Sequence, residues 1–481
     1  MSLLITIPKP ARVRRGFCWC VVALVLIFCS AVSAQVQPPM VTLLTNGFGS
    51  NRLNVVFLSE GYQTNQLGKF LVDATNALNN LLSHPPYAEY SNYFNAYAIK
   101  VASTNSGSDH PAYGLTNITY FNSTYDKTND VLITIPPNAA DANASHGQGK
   151  VDALVQTYLP NCQLSILLVN DVVKGGSDGF DKTAIAAANL SDPTFEILTH
   201  ETAHVLANLG DEYTNAVPGF PNTEEPNTTQ VTNFNSIKWK AWIDTNGTPI
   251  PTPNTAPFAN TVGLFEGAHY HPTGWYRPFS DCAMKSFGVA GGFCPVCSEA
   301  LVLAIYRRVR PVDNFTPAGT NFSVATSLPL NFNLTLLQPS THSLAVQWFT
   351  NGIALTGATN ASLTLTPAAL GNKTNSVSAV VRDATPLVRT DPTNLLSQTV
   401  SWTVGVNVPQ LTLDSPTWLS GGRFAFRISG NAPQNFSILG STNLSNWIPL
   451  TTNSLVGGIF FYTNSNTATF PSRYFRARTP P

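Results

Sequence analysis

The spacing of apolar residues changes its period near Asn314, and any fold for this chain of 481 residues has to honour both halves. Between about residues 50 and 310, helical and strand patterns alternate. Residues 53–58 form a short apolar run that reads as a buried strand, and Leu67, Phe70, Leu71, Ala74, Leu78 and Leu81 then recur at helical spacing. Runs at 97–101, 131–135 and 164–169 read as strands, and Val151, Leu154, Val155 and Tyr158 as a second helix. Asp192-Pro193 starts a helix that runs through His204, because Asp caps a helix and Pro fits its first turn. Residues 214–262, rich in Pro, Asn and Thr, predict a long surface loop, and residues 296–309 are helical again. Beyond Asn314 the period drops to two. Leu344, Val346 and Trp348 alternate, Asn351-Gly352 supplies a hairpin turn, and Leu363/Leu365 and Val377/Ala379/Val381 alternate in turn. This is the pattern of an immunoglobulin-like sandwich without paired cysteines. A second all-β block begins near Pro409, with Phe424, Phe426 and Ile428, then Phe436 and Ile438, and ends at Arg473-Tyr474-Phe475-Arg476.

The first 34 residues are expected to stand outside this fold. Lys9, Arg12, Arg14 and Arg15 precede an apolar run over 21–28, and Ala31-Val32-Ser33-Ala34 follows. Basic flank, short apolar stretch and small residues before a cleavage point make a secretory signal peptide, cut after Ala34. The run is too short for a membrane-spanning helix, which needs about 20 apolar residues. Four of the 26 basic residues leave with the signal and no acid does, so the mature chain carries 22 basic against 26 acidic residues. With no basic surplus, nucleic acid is an unfavoured partner. Charged residues are only 11% of the chain, yet hydrophobic residues are 43%, which rules out a disordered polymer.

The chemistry concentrates at His200-Glu201-Thr202-Ala203-His204. Positions i and i+4 share one face of a helix, so His200 and His204 can hold one ion, with Glu201 beside them to act on water. Two imidazoles on Zn²⁺ with a neighbouring carboxylate as general base is the arrangement of a zinc peptidase. Such a centre needs a third protein ligand. Asp211 follows His204 after a spacer in which Gly210 is expected to take a positive φ and turn the chain back. Asp211 is favoured as that ligand and Glu212 competes with it.

The stretch from His200 to Tyr213, with His-Glu-x-x-His, six residues and then Asp211-Glu212-Tyr213, resembles the IgA-peptidase family of secreted bacterial metallopeptidases. Residues 54–62 resemble the family's opening strand, with Ser59-Glu60 where Gly-Asp is more usual. Residues 106–111 resemble its Ser-Gly-x-Asp segment, and Leu168-Val169-Asn170 followed by Gly175-Gly176 resembles its central strand and the loop before the active-site helix. The likeness covers about residues 46–310. It implies a metzincin-like α/β domain, with His200, His204 and Asp211 on zinc, Glu201 as base, and Met284 in a tight turn beneath the metal. Tyr276 or Tyr213 would donate a hydrogen bond to the oxyanion.

The predicted organisation is therefore a signal over 1–34, a metallopeptidase catalytic domain over 40–312, an immunoglobulin-like sandwich over 315–406 and a C-terminal β-sandwich over 409–481. Four cysteines remain after the signal: Cys162, Cys282, Cys294 and Cys297. They read as a disulfide joining Cys282 to Cys294 or Cys297, as a redox pair at 294–297, or as a four-cysteine structural zinc. His269 and His271 are a further candidate metal pair. The functional expectation is a secreted, periplasmic or cell-surface zinc endopeptidase acting on protein or peptide substrates. The competing expectation is a surface-binding or adhesion protein with an inactive peptidase domain, whose β modules dock on a glycan or cell surface.

Overall fold

The computed structural model describes residues 40–136, 147–178, 183–188, 196–288, 292–325, 328–408, 410–430, 434–466 and 469–479. The expected signal peptide and the Asp192-Pro193 helix start lie outside these residues. The organisation is multidomain and rich in β-sheet. The elements of the first part are β1 (Met40–Leu44), β2 (Leu53–Glu60), α1 (Leu67–Leu81), β3 (Phe94–Ile99), β4 (Thr124–Tyr125), β5 (Ile133–Thr134), α2 (Gly147–Tyr158), β6 (Leu164–Val169), β7 (Gly176–Ser177), β8 (Thr183–Ala187), α3 (Glu196–Ala207), β9 (Phe265–Ala268), β10 (His271–Arg277) and α4 (Pro295–Tyr306).

Six of these strands form one sheet in the order β1-β3-β2-β6-β8-β7. The inner four run parallel, and β1 and β7 close the two edges antiparallel. Its central strands are buried on both faces, which is why they read as continuous apolar runs. Alternate residues serve different cores: Leu53, Val55, Phe57, Leu164, Ile166 and Leu168 join one, and Val56, Leu58, Leu167 and Val169 join the other. The first core also contains the apolar residues of α1, α3 and α4, and the second contains Val151 and Leu154 of α2. The strand expected at 131–135 shrinks to the two residues of β5, because Asp126 takes up the Val131 and Leu132 amides instead (2.9 and 2.8 Å).

Ser59-Glu60 closes β2 with a purpose of its own. The buried Glu60 carboxylate accepts from Thr119 Oγ1 at 2.6 Å and from the Phe121 and Ser123 amides at 2.9 Å. It thereby pins the loop that crosses the sheet's C-terminal edge. Burial, the largest influence, raises its pKa above the ordinary 4.5, and these donors partly offset that.

After α4 the chain is all β. Strands β11 (Val312–Thr316), β13 (Leu330–Leu336) and β16 (Ser362–Leu365) form one sheet; β12 (Asn321–Val324), β18 (Ser397–Val406), β17 (Thr374–Arg382), β14 (Ala345–Thr350) and β15 (Ile353–Ala354) form the other. They share a core around Trp348 and Trp402, whose rings stack 5.8 Å apart. Asn351 (φ 49°) and Gly352 (φ 78°) make the left-handed hairpin turn between β14 and β15. The last part pairs β19 (Leu411–Leu419), β20 (Arg423–Gly430) and β23 (Ile459–Asn464) in one sheet, and β22 (Ile448–Leu455), β21 (Gln434–Ser441) and β24 (Tyr474–Arg478) in another. Phe426, Ile428, Phe436, Ile438 and Leu455 fill the space between them.

The first β part is joined to the sheet domain by polar contacts. Arg52 and Asp313 form an ion pair at 2.6 Å. Asp383 accepts hydrogen bonds from Tyr90 Oη at 2.8 Å and Tyr306 Oη at 2.7 Å, with His342 Nε2 also 2.7 Å away.

Candidate active site

Helix α3 is covered by the sheet on one side and α4 on another, and most of it is buried, polar residues included. Glu196 in its first turn and His204 in its last suit the helix dipole. Leu198, Ala203 and Ala207 supply its fully buried apolar contacts, whereas Val205 and Leu206 are only partly buried. Edge strand β7 lies directly on it. A Cβ added to Gly176 would meet Ile197 Cγ2 at 2.4 Å and the Ile185 carbonyl at 2.6 Å, so no larger residue fits there without a shift.

The helix ends differently from the expectation. Asn208, not Gly210, takes the positive φ (53°), and its amide donates to the His204 carbonyl at 2.8 Å. This bond is the left-handed C-terminal cap that Asn can make at little cost. Gly210 sits tight against Glu225: a Cβ there would lie 2.5 Å from Glu225 Oε2, so that side chain would have to shift. Asn227 then clasps Gly210, accepting from its amide at 2.7 Å and donating to its carbonyl at 2.8 Å. The chain is thus returned across the face of α3.

Asp211 arrives at the two histidines. Its Oδ1 is 3.0 Å from His200 Nε2 and 3.5 Å from His204 Nε2, and the two Nε2 atoms are 3.0 Å apart. Each imidazole has its other nitrogen engaged: His200 Nδ1–H donates to the Ala283 carbonyl at 2.8 Å and His204 Nδ1–H to the Leu209 carbonyl at 2.5 Å. Those bonds direct both Nε2 lone pairs inward. Three lone-pair donors facing one another call for a cation, and two nitrogens with one carboxylate oxygen suit Zn²⁺. The protonation preferences say the same. Burial opposes charge on His204, but the hydrogen bond and charge of Asp211 outweigh it and push its pKa up to about 10. Burial likewise opposes charge on Asp211, yet the two histidines hold its carboxyl well below the usual range.

Glu201 is buried beside this group, and its carboxylate, His200 and His204 offer ligand atoms within 4.8 Å of one another. Burial is the main influence on its pKa, pushing it up to about 7 against the pull of the histidines. Met284 is fully buried, in a turn closed by Lys285 and Ser286 amides on the Cys282 carbonyl (2.8 and 3.0 Å). That turn supplies the Ala283 carbonyl to His200, and the Met284 carbonyl accepts the Glu212 amide at 2.9 Å.

The structure separates the two candidate tyrosines. Tyr213 stacks on His200 with centroids 5.9 Å apart. Tyr276 packs its ring against the main core and exchanges backbone bonds with Thr229. A third tyrosine, Tyr270, was not singled out by sequence: its hydroxyl donates to Asp211 Oδ2. His269 and Tyr270 form the left-handed turn between β9 and β10, with φ of 54° and 57°, and their amides donate to the Asp211 and Tyr213 carbonyls, each at 2.9 Å. The only sequence signal was the His269-x-His271 pair that brackets Tyr270. That pair does not converge as a metal site. His269 Nδ1 and Nε2 bond Glu225 Oε2 and the Pro221 carbonyl at 3.1 and 2.7 Å, and its ring stacks on Trp275.

The cysteines also depart from expectation. All four are free thiols. Cys162 is excluded from any shared site, because its Sγ faces the Asn54 and Leu164 carbonyls in the other core. Cys282, Cys294 and Cys297 meet instead with Glu212.

Residues 41–256 and 254–305 match the family model described as IgA Peptidase M64. The match covers more than half of the chain, which belongs to this family and hence to the peptidases. No curated protein matches the chain. Among solved structures, an apo β-glucuronidase 3 from Bacteroides uniformis is similar at 10% identity and a TM-score of 0.14, over 46% of this chain and 29% of that one. The chain thus spans less than a third of that enzyme. A chaperone-tip adhesin complex of CFA/I fimbriae is similar at 10% identity and the same TM-score of 0.14, over 35% of this chain and 92% of that one. At that TM-score neither likeness bears on fold or function.

Proposed function

We propose that the protein is an exported zinc endopeptidase with Glu201 as its general base. The observation that carries this reading is the convergence of His200 Nε2, His204 Nε2 and Asp211 Oδ1, with both Nδ1 atoms already spent on carbonyls. His200, His204 and Asp211 would hold Zn²⁺, with Met284 packed in the turn that orients His200. Helix, left-handed cap, returning carboxylate and methionine turn together support a metzincin-like catalytic domain. When bound, zinc supplies a Lewis acid that polarises a carbonyl oxygen and acidifies water. Glu201 takes the proton from the water that attacks the scissile carbonyl and delivers it to the leaving amine. Tyr213, which stacks on His200, would donate to the oxygen that gains charge.

Export rests on the sequence of residues 1–34. Among the described residues no helix is long and apolar enough to cross a membrane. The two β parts, read as an immunoglobulin-like sandwich and a second sandwich, would position the enzyme or its protein substrate on a surface. Glu201, buried beside both histidines, supports an enzyme over a docking protein with an inert domain. The test is hydrolysis of casein or a peptide library, with and without chelator, alongside Glu201→Gln. The variant should keep its zinc and lose about 10²–10⁴-fold in rate. Hydrolysis unaffected by chelator, or full activity in the variant, would sink the reading.

A further inference from the structure

Behind the histidine site lies a second convergence of donors. Glu212, Cys282, Cys294 and Cys297 are all buried, and their ligand atoms lie within 4.8 Å of one another. We propose that these four residues form a second, structural zinc site.

Distances favour a shared ion over a disulfide. Cys282 Sγ and Cys297 Sγ are 3.7 Å apart. A tetrahedral centre with Zn–S bonds of about 2.3 Å has an S···S edge of about 3.8 Å. A disulfide needs about 2.05 Å. Cys297 Sγ and Glu212 Oε1 are 3.8 Å apart, again close to a tetrahedral edge. A disulfide between any two of the thiols would also leave the buried Glu212 carboxylate without a counter-charge in the cluster.

Glu212 makes the stronger case. It is fully buried, yet its Oε2 has no hydrogen-bond partner, and Oε1 accepts from Asn227 Nδ2 at 3.0 Å. Among the described residues no ion pair includes it. Buried carboxylates are paired or on metals, because leaving one unpaired costs far more than a surface charge. Arg277 is a buried cation that interacts with Glu212 through charge, but both of its terminal guanidinium nitrogens donate to the carbonyls of Glu266, Gly267 and Ser280 and none of its hydrogen bonds goes to Glu212. A divalent ion among the three thiolates would give the Glu212 carboxylate the counter-charge it lacks.

The local backbone suits thiolates. Cys294 occupies the N-cap position of α4, Pro295 follows in its first turn, and Cys297 completes a Cys-x-x-Cys pair there. The helix dipole favours negative sulfur at that end. The Cys294 amide donates to Cys282 Sγ at 3.2 Å. Loading the site would release the thiol protons to solvent, with no change of oxidation state. The ion would staple the Asp211–Glu212 segment, the Met284 turn and α4 to one point. It would hold Asp211 and the Ala283 carbonyl where the histidines need them.

The test uses the full chain carrying His200→Ala and His204→Ala, which empties the first site. About one equivalent of zinc should remain, with zinc-edge X-ray absorption showing three sulfur scatterers and one light atom. Adding Cys297→Ser should reduce that zinc to a trace. A folded double variant without zinc would overturn the proposal, as would peptide mapping of the wild-type protein that finds a disulfide among Cys282, Cys294 and Cys297. If the double variant does not fold, the wild-type absorption spectrum decides, and a spectrum without zinc–sulfur scattering overturns the site.

Discussion

Asp211 and Glu212 are neighbours in sequence whose carboxylates meet different partners. Asp211 Oδ1 lies 3.0 Å from His200 Nε2, while Glu212 Oε1 lies 3.8 Å from Cys297 Sγ. Sequence spacing alone left the two in competition for one role. The fold brings Asp211 to the histidines and Glu212 to the cysteines. Asp211→Asn should therefore lose bound zinc and activity by more than the roughly 10–100-fold that removing an outer hydrogen-bond partner costs. Elemental analysis and kcat/KM on a peptide substrate check this, and stoichiometric zinc with normal turnover would contradict it.

Tyr270 reaches the metal candidates only through Asp211 Oδ2. Tyr270→Phe keeps the ring and its packing on Phe220 but deletes that donor. Zinc affinity, measured by competition with a chromophoric chelator, should weaken by about 10–100-fold. Unchanged affinity would assign the hydroxyl to packing of the β9–β10 turn.

His110 gives a pH signature remote from the site. Its Nδ1 is 2.8 Å from Asp130 and its Nε2 3.0 Å from Asp171, with Tyr125 stacked at 4.3 Å. Burial works against the charged ring, but the two carboxylates outweigh it and raise its pKa above 6.5. The folded protein therefore binds this proton more tightly than the unfolded chain. Its stabilisation is complete below about pH 6.5 and is lost as pH rises through the folded value. The melting temperature of His110→Gln should fall furthest below wild type near pH 5.5 and approach it near pH 9. A gap independent of pH would assign His110 a role in packing alone.

Met284 is a packing residue, so its size should matter more than its sulfur. Met284→Ala should cost about 2–5 kcal/mol in urea unfolding. Met284→Leu should cost less than about 1.5 kcal/mol and keep zinc and activity. A leucine variant that folds but loses zinc would show that the thioether itself matters.

Much of the first sheet was legible because buried parallel strands and an amphipathic helix leave plain periods. The run at 53–58 lies within β2, the run at 164–169 is β6, and the Leu67–Leu81 spacing is α1. Local exceptions were not legible. The left-handed residue that ends α3 is Asn208, while Gly210 sits tight against the Glu225 side chain, a contact made from fifteen residues further along the chain. The same holds for the site. His200, Glu201 and His204 share one helical turn and so announce themselves. Tyr270 and Asn227 reach the Asp211–Glu212 segment from the long loop and the β9–β10 turn, where no period marks them.

Asp383 gathers Tyr90, Tyr306 and His342 at the seam between the sheet domain and the first β part, and its side chain is wholly covered. Tyr93 Oη, donating to the Leu337 carbonyl at 2.8 Å, belongs to the same seam. Cutting the chain after residue 312 would remove the Asp383 and Leu337 acceptors and open these buried tyrosines to water, leaving Tyr93 and Tyr306 only each other. The first β part therefore shares buried surface with the peptidase domain and is not a bead on a string. A fragment ending at 312 has lost part of its own floor, so low activity in such a fragment would report damage to the sheet domain before it reported anything about substrate capture.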